Sequence, residues 1–319
     1  MERSAPPHSA WTVSDGRAGN ARQARALAAA MGLAADDWTL DARAPWRWMA
    51  PRRLPGSWSA FGAGFAAAAV RTPPVLAIGC GRQAALATRL LRTRGTRTVQ
   101  VLDPRIAPAS WDVVVAPHHD RLAGDNVVSM LGSLHPVDDA WLAAARTAHP
   151  AFGLLPRPRV ALLVGGPTRH APWDGRALGA WLGQLERLVA SEGGSLLLCG
   201  SRRTPPPLRA RVRDTRTRMP GLRWLDDTDG ANPYAGVLAW ADRIACTADS
   251  VNMLSEACAT WAPVYVAGAG RVEGRIAGFV AALEALGRVR PLDAAMPRFD
   301  VQPLREAARV AAEVEARLG

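Results

Sequence analysis

The sequence predicts an α/β protein made of two Rossmann-like αβα domains that face each other across a cleft. Short runs rich in Val, Leu and Ile alternate with runs of helical periodicity, which is typical of parallel sheets covered by helices on both faces. The alternation restarts after a Pro-rich stretch near the middle of the chain, and 319 residues is a comfortable length for two domains. We therefore expect a first domain over residues 1–150 and a second over residues 151–319.

The predicted elements follow from the spacing of apolar residues. In the first half, strands are predicted at AWTV, VLAIG, TVQVLD and DVVVAP, and the first leads into a helix with Ala24, Leu27 and Met31 at helical spacing. Residues 149–160 are Pro-rich and aperiodic, which indicates an interdomain linker. In the second half, strands are predicted at VALLVGG, SLLLCG, GLRWLD, RIACT and PVYV. The final run, LREAARVAAEVEARLG, is amphipathic and predicts a closing helix, which we assign to the second domain and expect to pack back across both domains.

The composition restricts the chemistry. The formal net charge is +11 and the chain contains no lysine, so every basic residue counted is an arginine. The positive balance favours anionic ligands, while the missing lysine excludes a Walker P-loop and a lysine Schiff base. No nucleic-acid-binding motif is present, so no nucleic-acid partner is expected.

The sequence predicts a cytoplasmic protein. The first residues, MERSAPPHSAWTVSDG, lack the apolar region of a signal peptide, and the run AFGAGFAAAAV is far shorter than a bilayer span. Cys80, Cys199, Cys246 and Cys258 lack metal-ligand spacing, which favours buried free thiols in a reducing compartment and no metal site.

Ligands of open α/β sheets bind beyond the carboxyl ends of the strands, so the loops that follow strands hold the candidate site residues. The first such loop, SDGRAGN, contains Asp15, Gly16, Arg17, Gly19 and Asn20. Its glycines allow the backbone to approach a ligand closely, and Asp15 is expected to face the cleft. A tight turn capped by the aspartate is the structural alternative.

A second loop in the first half matches a dinucleotide-binding pattern. Gly79, Gly81 and Ala84 fit G-x-G-x-x-A after a strand, and Asp103 ends the next strand. This pattern makes an NAD-dependent enzyme an alternative.

A third loop carries His118, His119 and Asp120 at a strand end. Two imidazoles beside a carboxylate are candidate proton-transfer groups near neutral pH. A plain structural loop is the alternative.

In the second half, the loops VGGPTRH and CGSRRTP both follow strands. Arg202 and Arg203 are adjacent, with the hydroxyls of Ser201 and Thr204 beside them. Their repulsion costs only about 1 kcal/mol in water, so a solvated pair is the structural alternative. A diphosphate would instead accept charge-assisted hydrogen bonds worth about 1.5–3 kcal/mol each, and we favour this interpretation.

The stretch CTADSVNMLSEACAT predicts a strand end, a polar corner and a helix. A helix that begins near Ser250 offers unpaired amides and the positive end of its dipole to an anion, and Asn252 lies in its first turn. Glu256 is suited to accept hydrogen bonds from ribose hydroxyls. The alternative is a helix capped by Asp249 or Ser250, with Glu256 paired to an arginine. Combined with the two preceding loops, the corner predicts a nucleotide-diphosphate site.

These motifs occur in an order that resembles a known family. The motifs are, in order, WTVSDGRAGNARQARALAAAMG, IGCGR, VLDPR, VAPHHD, GGPTRH, SRRTP, NPYAGVLAWADRIACTADSVNMLSEACAT and PVYV. Together they look like the mitochondrial-fission "elongated mitochondria" family, from Trp11 to about Arg290. Its bacterial members are described as glycosyltransferases or nucleoside-diphosphate-sugar epimerases. The resemblance implies a GT-B architecture with the nucleotide-sugar donor in the second domain. A fainter similarity to the enzyme that adds N-acetylglucosamine in peptidoglycan precursor synthesis suggests a role in cell-envelope glycans.

The resemblance also implies roles for individual residues. Asp15 would be the catalytic base on the acceptor side, with His118, His119 and Asp120 in reserve. The donor-binding residues that it implies are Gly165, Gly166, Thr168, Arg169, Ser201, Arg202, Arg203, Thr204, Asn232, Pro233, Tyr234, Asp249, Ser250, Asn252, Met253 and Glu256. Trp261 stands where the family pattern has glycine, which could reshape the nucleotide pocket.

We therefore expect an inverting GT-B glycosyltransferase in which arginines and a helix tip, without an obligatory metal ion or other cofactor, stabilise the leaving diphosphate. A nucleotide-sugar epimerase with the same site and a non-catalytic scaffold are the alternatives. The expected acceptor is a glycan or is linked to lipid. Residues 44–65 interleave Trp46, Trp48 and Met49 with arginines, which suits peripheral docking on the inner face of the cytoplasmic membrane. A Trp-rich packing loop is the alternative for this segment.

Overall fold

The computed structural model describes residues 10–214 and 219–319. Within them the chain forms two compact units. The first contains the described residues up to Pro136 together with Glu306–Gly319, and the second contains Val137–Arg305.

The strands and helices of the described residues alternate along the chain. The strands are β1 (Ala10–Ser14), β2 (Ala35–Thr39), β3 (Leu76–Cys80), β4 (Arg97–Val101), β5 (Val113–Pro117), β6 (Val127–Met130), β7 (Arg159–Val164), β8 (Ser195–Gly200), β9 (Gly221–Trp224), β10 (Arg243–Thr247), β11 (Val264–Ala267) and β12 (Val289–Pro291). The helices are α1 (Ala18–Ala30), α2 (Trp46–Met49), α3 (Gly62–Arg71), α4 (Arg82–Arg92), α5 (Asp139–Ala148), α6 (Gly175–Glu192), α7 (Pro206–Asp214), α8 (Tyr234–Trp240), α9 (Val251–Cys258), α10 (Gly274–Ala285) and α11 (Ala307–Leu318). None of these helices combines the length and the apolar character that crossing a membrane requires.

In the described part of the first unit, six strands form one parallel sheet in the order β2-β1-β3-β4-β5-β6. Strands β1, β3 and β5 are buried along their whole length. This burial on both faces explains why their sequences are nearly continuous apolar runs. The strand order reverses between β1 and β3, and ligands of open α/β sheets bind at such a reversal.

The second unit repeats this design over the residues that are described. Its six strands are parallel and lie in the order β12-β11-β10-β7-β8-β9, which is the Rossmann order 3-2-1-4-5-6 when the strands are numbered within the unit. Strands β7, β8 and β10 are fully buried, and the order reverses between β7 and β10. The predicted class, two Rossmann-like αβα domains, is confirmed.

The helices cover the sheets through apolar stripes. Leu178, Leu182, Leu185 and Val189 recur at helical spacing on α6 and pack in one buried cluster with the apolar side chains of β7 and β8. Asp174 caps the start of α6 by accepting a hydrogen bond from the Ala177 amide at 2.9 Å, and Gly193 ends the helix in the left-handed conformation.

The unit boundary differs from the expected one. Residues 149–160 were expected to be a linker but belong to the second unit, where residues 150–154 form a 3-10 turn. The His149 ring stacks on Phe152, and a Cβ added at Gly236 would lie 2.5 Å from the His149 Cγ, so this stretch packs tightly against α8. The boundary therefore falls at Pro136 and Val137 rather than at residues 150 and 151.

The closing helix also belongs to a different unit from the one expected. Val310, Ala311 and Val314 of α11 lie in the core of the first unit with Leu27 and Val128. The amphipathic pattern predicted the helix and its buried face, but an apolar stripe does not specify which sheet covers it.

Candidate functional site

Three loops of the second unit meet at the carboxyl edge of its sheet. They follow β7, β8 and β10, which are neighbours in the order β10-β7-β8, and they comprise residues 165–170, 201–205 and 248–252. We call this region the β7–β8–β10 corner. It lies at the reversal of strand order, where the fold leaves a crevice for ligands.

The carboxylate of Asp249 holds the β7–β8–β10 corner together. Its side chain is completely buried. It accepts hydrogen bonds from the Gly166 amide at 2.8 Å, the Trp173 indole N–H at 2.9 Å and the Arg203 guanidinium at 2.8 Å. Because these three donors occupy it, Asp249 orders the loops of the corner instead of contacting a ligand directly, which differs from its implied role.

The two glycines after β7 are required by this packing. A Cβ at Gly165 would lie 2.1 Å from the Asp249 Oδ2, and a Cβ at Gly166 would lie 2.2 Å from the Arg203 carbonyl oxygen. Glycine is therefore needed because other protein atoms approach the backbone closely at both positions. Close approach by a phosphate is not required to explain them.

Thr204 links the loops after β7 and β8. Its buried hydroxyl donates a hydrogen bond to the Gly165 carbonyl oxygen at 2.7 Å and accepts one from the Ser201 amide at 2.9 Å. Thr204 thus has a structural role, while Ser201 is half-buried at the same turn.

The helix that begins at the corner matches the prediction. Ser250 is the N-cap of α9, and its Oγ accepts a hydrogen bond from the Met253 amide at 3.4 Å. Val251 and Asn252, the first two residues of the helix, are half-buried. Their amides have no acceptor within the helix, so the tip of α9 carries the partial positive charge of the helix dipole.

The arginines of the corner differ in their contacts with other protein groups. Arg203 is half-exposed and pairs with Asp249, whereas the exposed Arg202 has no hydrogen bond or ion pair with any described residue. Arg169 is exposed at the neighbouring loop, where its Nε donates to the His170 Nε2 at 2.7 Å, and Thr168 is half-buried beside it. Arg202 therefore brings an uncompensated positive charge to the corner.

Glu256 lies inside α9 and is 2% exposed. Its Oε2 accepts a hydrogen bond from the Tyr234 hydroxyl at 2.6 Å, and Tyr234 begins α8 with its own amide bound to the Asn232 Oδ1 at 2.9 Å. Pro233 is the N-cap of α8. Tyr234 thus contacts Glu256, and Asn232 and Pro233 lie at the start of the same helix, α8.

The thiols near the corner are not nucleophiles. Burial raises the pKa of the Cys246 thiol well above its ordinary value, and the nearby negative charges of Asp249 and Glu256 raise it further. Burial raises the pKa of the Cys199 thiol to about 12. Both side chains remain protonated at neutral pH, so they cannot supply a thiolate.

In the first unit, the loop after β1 meets the loop after β3 at the other reversal of strand order. The Asp15 Oδ1 accepts hydrogen bonds from the Asn20 side-chain amide at 2.9 Å and from the Arg17 amide at 3.2 Å. Gly16 has a φ of +77°, and a Cβ at Gly81 would lie 2.5 Å from the Asn20 Nδ2. Asp15 thus forms the tight turn that was the structural alternative, with Gly19 inside α1, and its carboxylate remains at the carboxyl edge of the sheet.

The dinucleotide-like pattern is explained by packing. A Cβ at Gly79 would lie 2.7 Å from the Thr88 Cγ2, so Gly79 lets α4 pack on β3, and Ala84 is buried in that contact. The Asp103 carboxylate accepts a hydrogen bond from the Arg105 amide at 2.7 Å and pairs with its guanidinium at 3.4 Å. These contacts give the pattern a structural cause that is independent of NAD.

His118, His119 and Asp120 form one 3-10 turn after β5. The His119 Nε2 lies 4.0 Å from the Asp120 Oδ1, and both side chains are about one-tenth exposed. Strand β5 is three strands away from β1 in the sheet, or about 14 Å at the usual spacing of strands. The structure therefore does not bring this cluster together with Asp15.

Two residues that form hydrogen bonds with the corner were not predicted. Trp173 donates to Asp249, and the Thr247 Oγ1 accepts a hydrogen bond from the Gly165 amide at 2.8 Å. Thr247 could have been found because it ends β10 next to the corner. Nothing in the local pattern around Trp173 indicates its partner.

Trp261 lies at the other end of α9 from the corner, about 12 Å away for a helix of this length. It does not adopt the left-handed conformation, and its indole N–H donates to the Asp139 Oδ1 at 2.8 Å. The buried guanidinium of Arg288 accounts for the end of α9, because it donates to the carbonyl oxygens of Cys258 at 2.9 Å and Thr260 at 2.8 Å. Trp261 therefore has no contact with the corner, in contrast to the expected effect on the nucleotide pocket.

A cavity of about 510 Å³ lies beside Trp261 in the second unit. Arg146, Arg157 and Phe299 are among its lining residues. Arg157 is paired with Asp242, which also lines the cavity. No sequence motif pointed to it.

The chain is similar to proteins of known identity over most of its length. Residues 18–318 match the family described as "Mitochondrial fission ELM1". The mitochondrial fission protein ELM1 of Arabidopsis thaliana is 30% identical over 275 residues, which make up 77% of this chain and 64% of that protein. The chain therefore spans less than two thirds of the plant protein's length.

Solved structures with a similar fold include two enzymes. The UDP-GlcNAc 2-epimerase from Methanocaldococcus jannaschii superposes with a TM-score of 0.62 at 10% identity, covering 97% of this chain and 98% of the epimerase. A glycosyltransferase from Rickettsia africae ESF-5 superposes with a TM-score of 0.50 at 11% identity, covering 98% of this chain and 89% of that enzyme. At such low identity the likeness concerns the fold, which is of the GT-B type with two Rossmann-like domains. The predicted family resemblance is confirmed, and the chain belongs to the mitochondrial fission ELM1 family.

Proposed function

We propose that the protein is a glycosyltransferase that binds a nucleotide-diphosphate sugar at the β7–β8–β10 corner and transfers the sugar to an acceptor hydroxyl. One observation carries the proposal. The tip of α9 lies at the reversal of strand order in a Rossmann-type sheet, and the loop after the neighbouring strand β8 carries Arg202, which is exposed and forms no hydrogen bond or ion pair with any described residue.

The diphosphate is the part of the donor that this corner would bind most strongly. The amides of Val251 and Asn252 and the dipole of α9 favour an anion at the helix tip. Arg202 can donate charge-assisted hydrogen bonds to phosphate oxygens, and the guanidinium of Arg203 is half-exposed beside it. These groups would also stabilise the charge that develops on the leaving diphosphate, as preorganised donors do in other enzymes.

The Tyr234–Glu256 pair is the proposed contact for the ribose. A buried carboxylate that already accepts a hydroxyl hydrogen bond can accept one from a ribose hydroxyl if Tyr234 moves aside. Asn232 and Pro233 fix the start of α8 and therefore the position of Tyr234. The names of the structurally similar epimerases identify UDP-GlcNAc as their substrate, and we propose it as the first donor to test.

In this proposal the acceptor binds to the first unit, and Asp15 acts as the base. The Asp15 carboxylate takes the proton of the acceptor hydroxyl, whose oxygen attacks the anomeric carbon of the sugar. The bond from that carbon to the diphosphate oxygen breaks, and the nucleoside diphosphate leaves with the electron pair. His118, His119 and Asp120 lie three strands from β1. They would take part in proton transfer only if the site rearranged to bring them next to Asp15.

We further propose that the acceptor is a glycan or is linked to lipid, in the synthesis of cell-envelope glycans at the inner face of the cytoplasmic membrane. The donor site would need no metal ion, because guanidinium groups and helix-tip amides supply the positive charge.

The experiment is a thermal-shift screen of nucleotide sugars, nucleoside diphosphates and NAD, followed by product analysis without acceptor. A rise in melting temperature with UDP-GlcNAc or a related donor supports the proposal. Conversion of the donor to an isomer without acceptor would show an epimerase. No stabilisation by any nucleotide diphosphate would support a non-catalytic scaffold, and stabilisation by NAD alone would support a dehydrogenase.

A further inference from the structure

The connection between β2 and α3 carries both buried and exposed aromatic side chains. Trp46, Trp58 and Phe61 are partly buried against Ala60 and Leu86 in a small apolar cluster. For these three residues, the packing-loop alternative holds. The same connection nevertheless leaves two large apolar side chains in solvent, Trp48 at 71% and Met49 at 39% exposure.

The exposed pair is presented by a well-anchored turn. The Ala42 amide donates to the Gln83 side-chain oxygen at 2.5 Å, and the Arg89 guanidinium donates to the Pro51 carbonyl oxygen at 2.7 Å. Both Gln83 and Arg89 belong to α4, so helix α2 is held to the body of the first unit on either side. Trp48 and Met49 are adjacent in α2 and therefore project from a fixed support.

The charge around Trp48 and Met49 is strongly positive. Residues 41–71 contain five arginines and a single carboxylate, Asp41, which is paired with Arg47. Arg43, Arg52 and Arg53 are exposed and form no ion pair with any described residue. Arg82 adds a further positive charge, because its guanidinium donates to the Arg47 carbonyl oxygen at 3.4 Å.

We propose that Trp48 and Met49, together with the neighbouring Arg43, Arg52, Arg53 and Arg82, form a docking surface for an anionic phospholipid bilayer. We call this surface the Trp48 patch. Tryptophan is favoured at the boundary between headgroups and acyl chains, and nearby arginines attract the negative surface of an anionic leaflet. Docking would be shallow and reversible, since two apolar side chains provide limited buried area.

The patch fits a lipid surface better than an acidic protein. A stable protein interface buries about 800 Å² on each partner around a packed apolar centre, which is far more than two adjacent side chains on one helical turn can supply. A bilayer needs no shape complementarity, and it accepts a projecting Trp–Met pair flanked by positive charge.

The test is co-sedimentation of the full chain with vesicles. One set contains phosphatidylcholine alone, and the other contains equal parts of phosphatidylcholine and phosphatidylglycerol. We expect binding to the anionic vesicles that decreases at high salt, and little binding to the neutral ones. The double variant Trp48→Ala, Met49→Ala should bind the anionic vesicles roughly tenfold more weakly, and Arg52→Ser with Arg53→Ser should have a similar effect.

The matched control is Trp261→Ala, which removes an exposed tryptophan from the second unit and should leave vesicle binding unchanged. All substituted side chains are exposed, and circular dichroism checks that the variants remain folded. Equal binding of the wild-type and Trp48→Ala, Met49→Ala proteins would overturn the proposal, as would failure of the wild-type protein to bind anionic vesicles. Docking does not depend on the proposed activity. Donor binding is measured without vesicles, so vesicle binding can fail while donor binding succeeds, and the reverse.

Discussion

Asp249 and Arg203 form an ion pair of 2.8 Å in which the carboxylate is completely buried and the guanidinium is half-exposed. The pair joins the end of β10 to the loop after β8, and the Gly166 amide ties the loop after β7 to the same carboxylate. The charged residues of the corner therefore divide into an internal frame and an outer face. Asp249 belongs to the frame, Arg202 to the outer face, and Arg203 to both.

Asp249, in the internal frame of the corner, is expected to contribute strongly to the free energy of unfolding. Asp249→Ala should lower the free energy of unfolding by about 3–5 kcal/mol, because it removes one partner of a buried ion pair and leaves the Trp173 indole without an acceptor. The half-exposed Arg203 places the expected loss near the lower end of that range. Urea unfolding measures the effect, with the exposed Asp300→Ala as control. Equal losses for the two variants would contradict the role of Asp249.

Gly166 is expected to be intolerant of any side chain. Gly166→Ala would place a Cβ 2.2 Å from the Arg203 carbonyl oxygen, so one of the two loops must move. We expect a loss of about 1–3 kcal/mol in the free energy of unfolding, as for other overpacked sites. The matched control is Gly270→Ala, whose Cβ would meet no atom within 4 Å. If both variants unfold at the same urea concentration, the loops do not interlock as described.

Asp226 is expected to make the second unit sensitive to acid. A hydrogen bond from the Thr228 hydroxyl, followed by those from Arg213 and Arg209, holds the pKa of this carboxyl below its ordinary value of 3.8. A lowered pKa in the folded state contributes stability that is complete above 3.8 and is lost as the pH falls through the lowered value. Asp226→Asn should therefore reduce stability at neutral pH and lessen its decline in acid. Urea unfolding as a function of pH tests this, and parallel profiles for both proteins would refute it.

Asp15 is expected to affect turnover and not donor binding. Asp15→Asn keeps a side chain that can form the same turn but cannot take a proton, so the turnover number should fall about 10²–10⁴-fold. The donor dissociation constant should stay constant in calorimetry. Asp103→Asn, which changes another carboxylate after a strand of the same sheet, serves as control. Full turnover by Asp15→Asn would remove this residue from the role of base.

The interior strands could be predicted from the sequence because burial on both faces requires continuous apolar runs. Strands β2, β6 and β12 were not predicted, and each is at an edge of its sheet. The sequence of β2, ADDWT, is half-polar because one of its sides has no neighbouring strand, so it lacks the pattern of the interior strands.

The site could be predicted only in part, because the local sequence does not show which distant loops pack together. The position of each loop follows from the strand that precedes it, and Ser250 as a helix cap follows from its residue type. The partners of Asp249 and Thr204 depend on burial between loops that are distant in sequence. The local pattern contains no information about that burial, so residues of the internal frame were expected to contact ligand.

The most direct measurement of the central claim is a calorimetric titration of UDP-GlcNAc into the wild-type protein, Arg202→Ala and the control Arg298→Ala. Arg298 is also exposed and has no ion pair with any described residue, but it lines the cavity near Trp261 and not the corner. We expect Arg202→Ala to weaken binding at least about tenfold, corresponding to the loss of one charge-assisted hydrogen bond, and Arg298→Ala to have no effect. Unchanged affinity of a folded Arg202→Ala protein, or no binding of any nucleotide diphosphate by the wild-type protein, would contradict it.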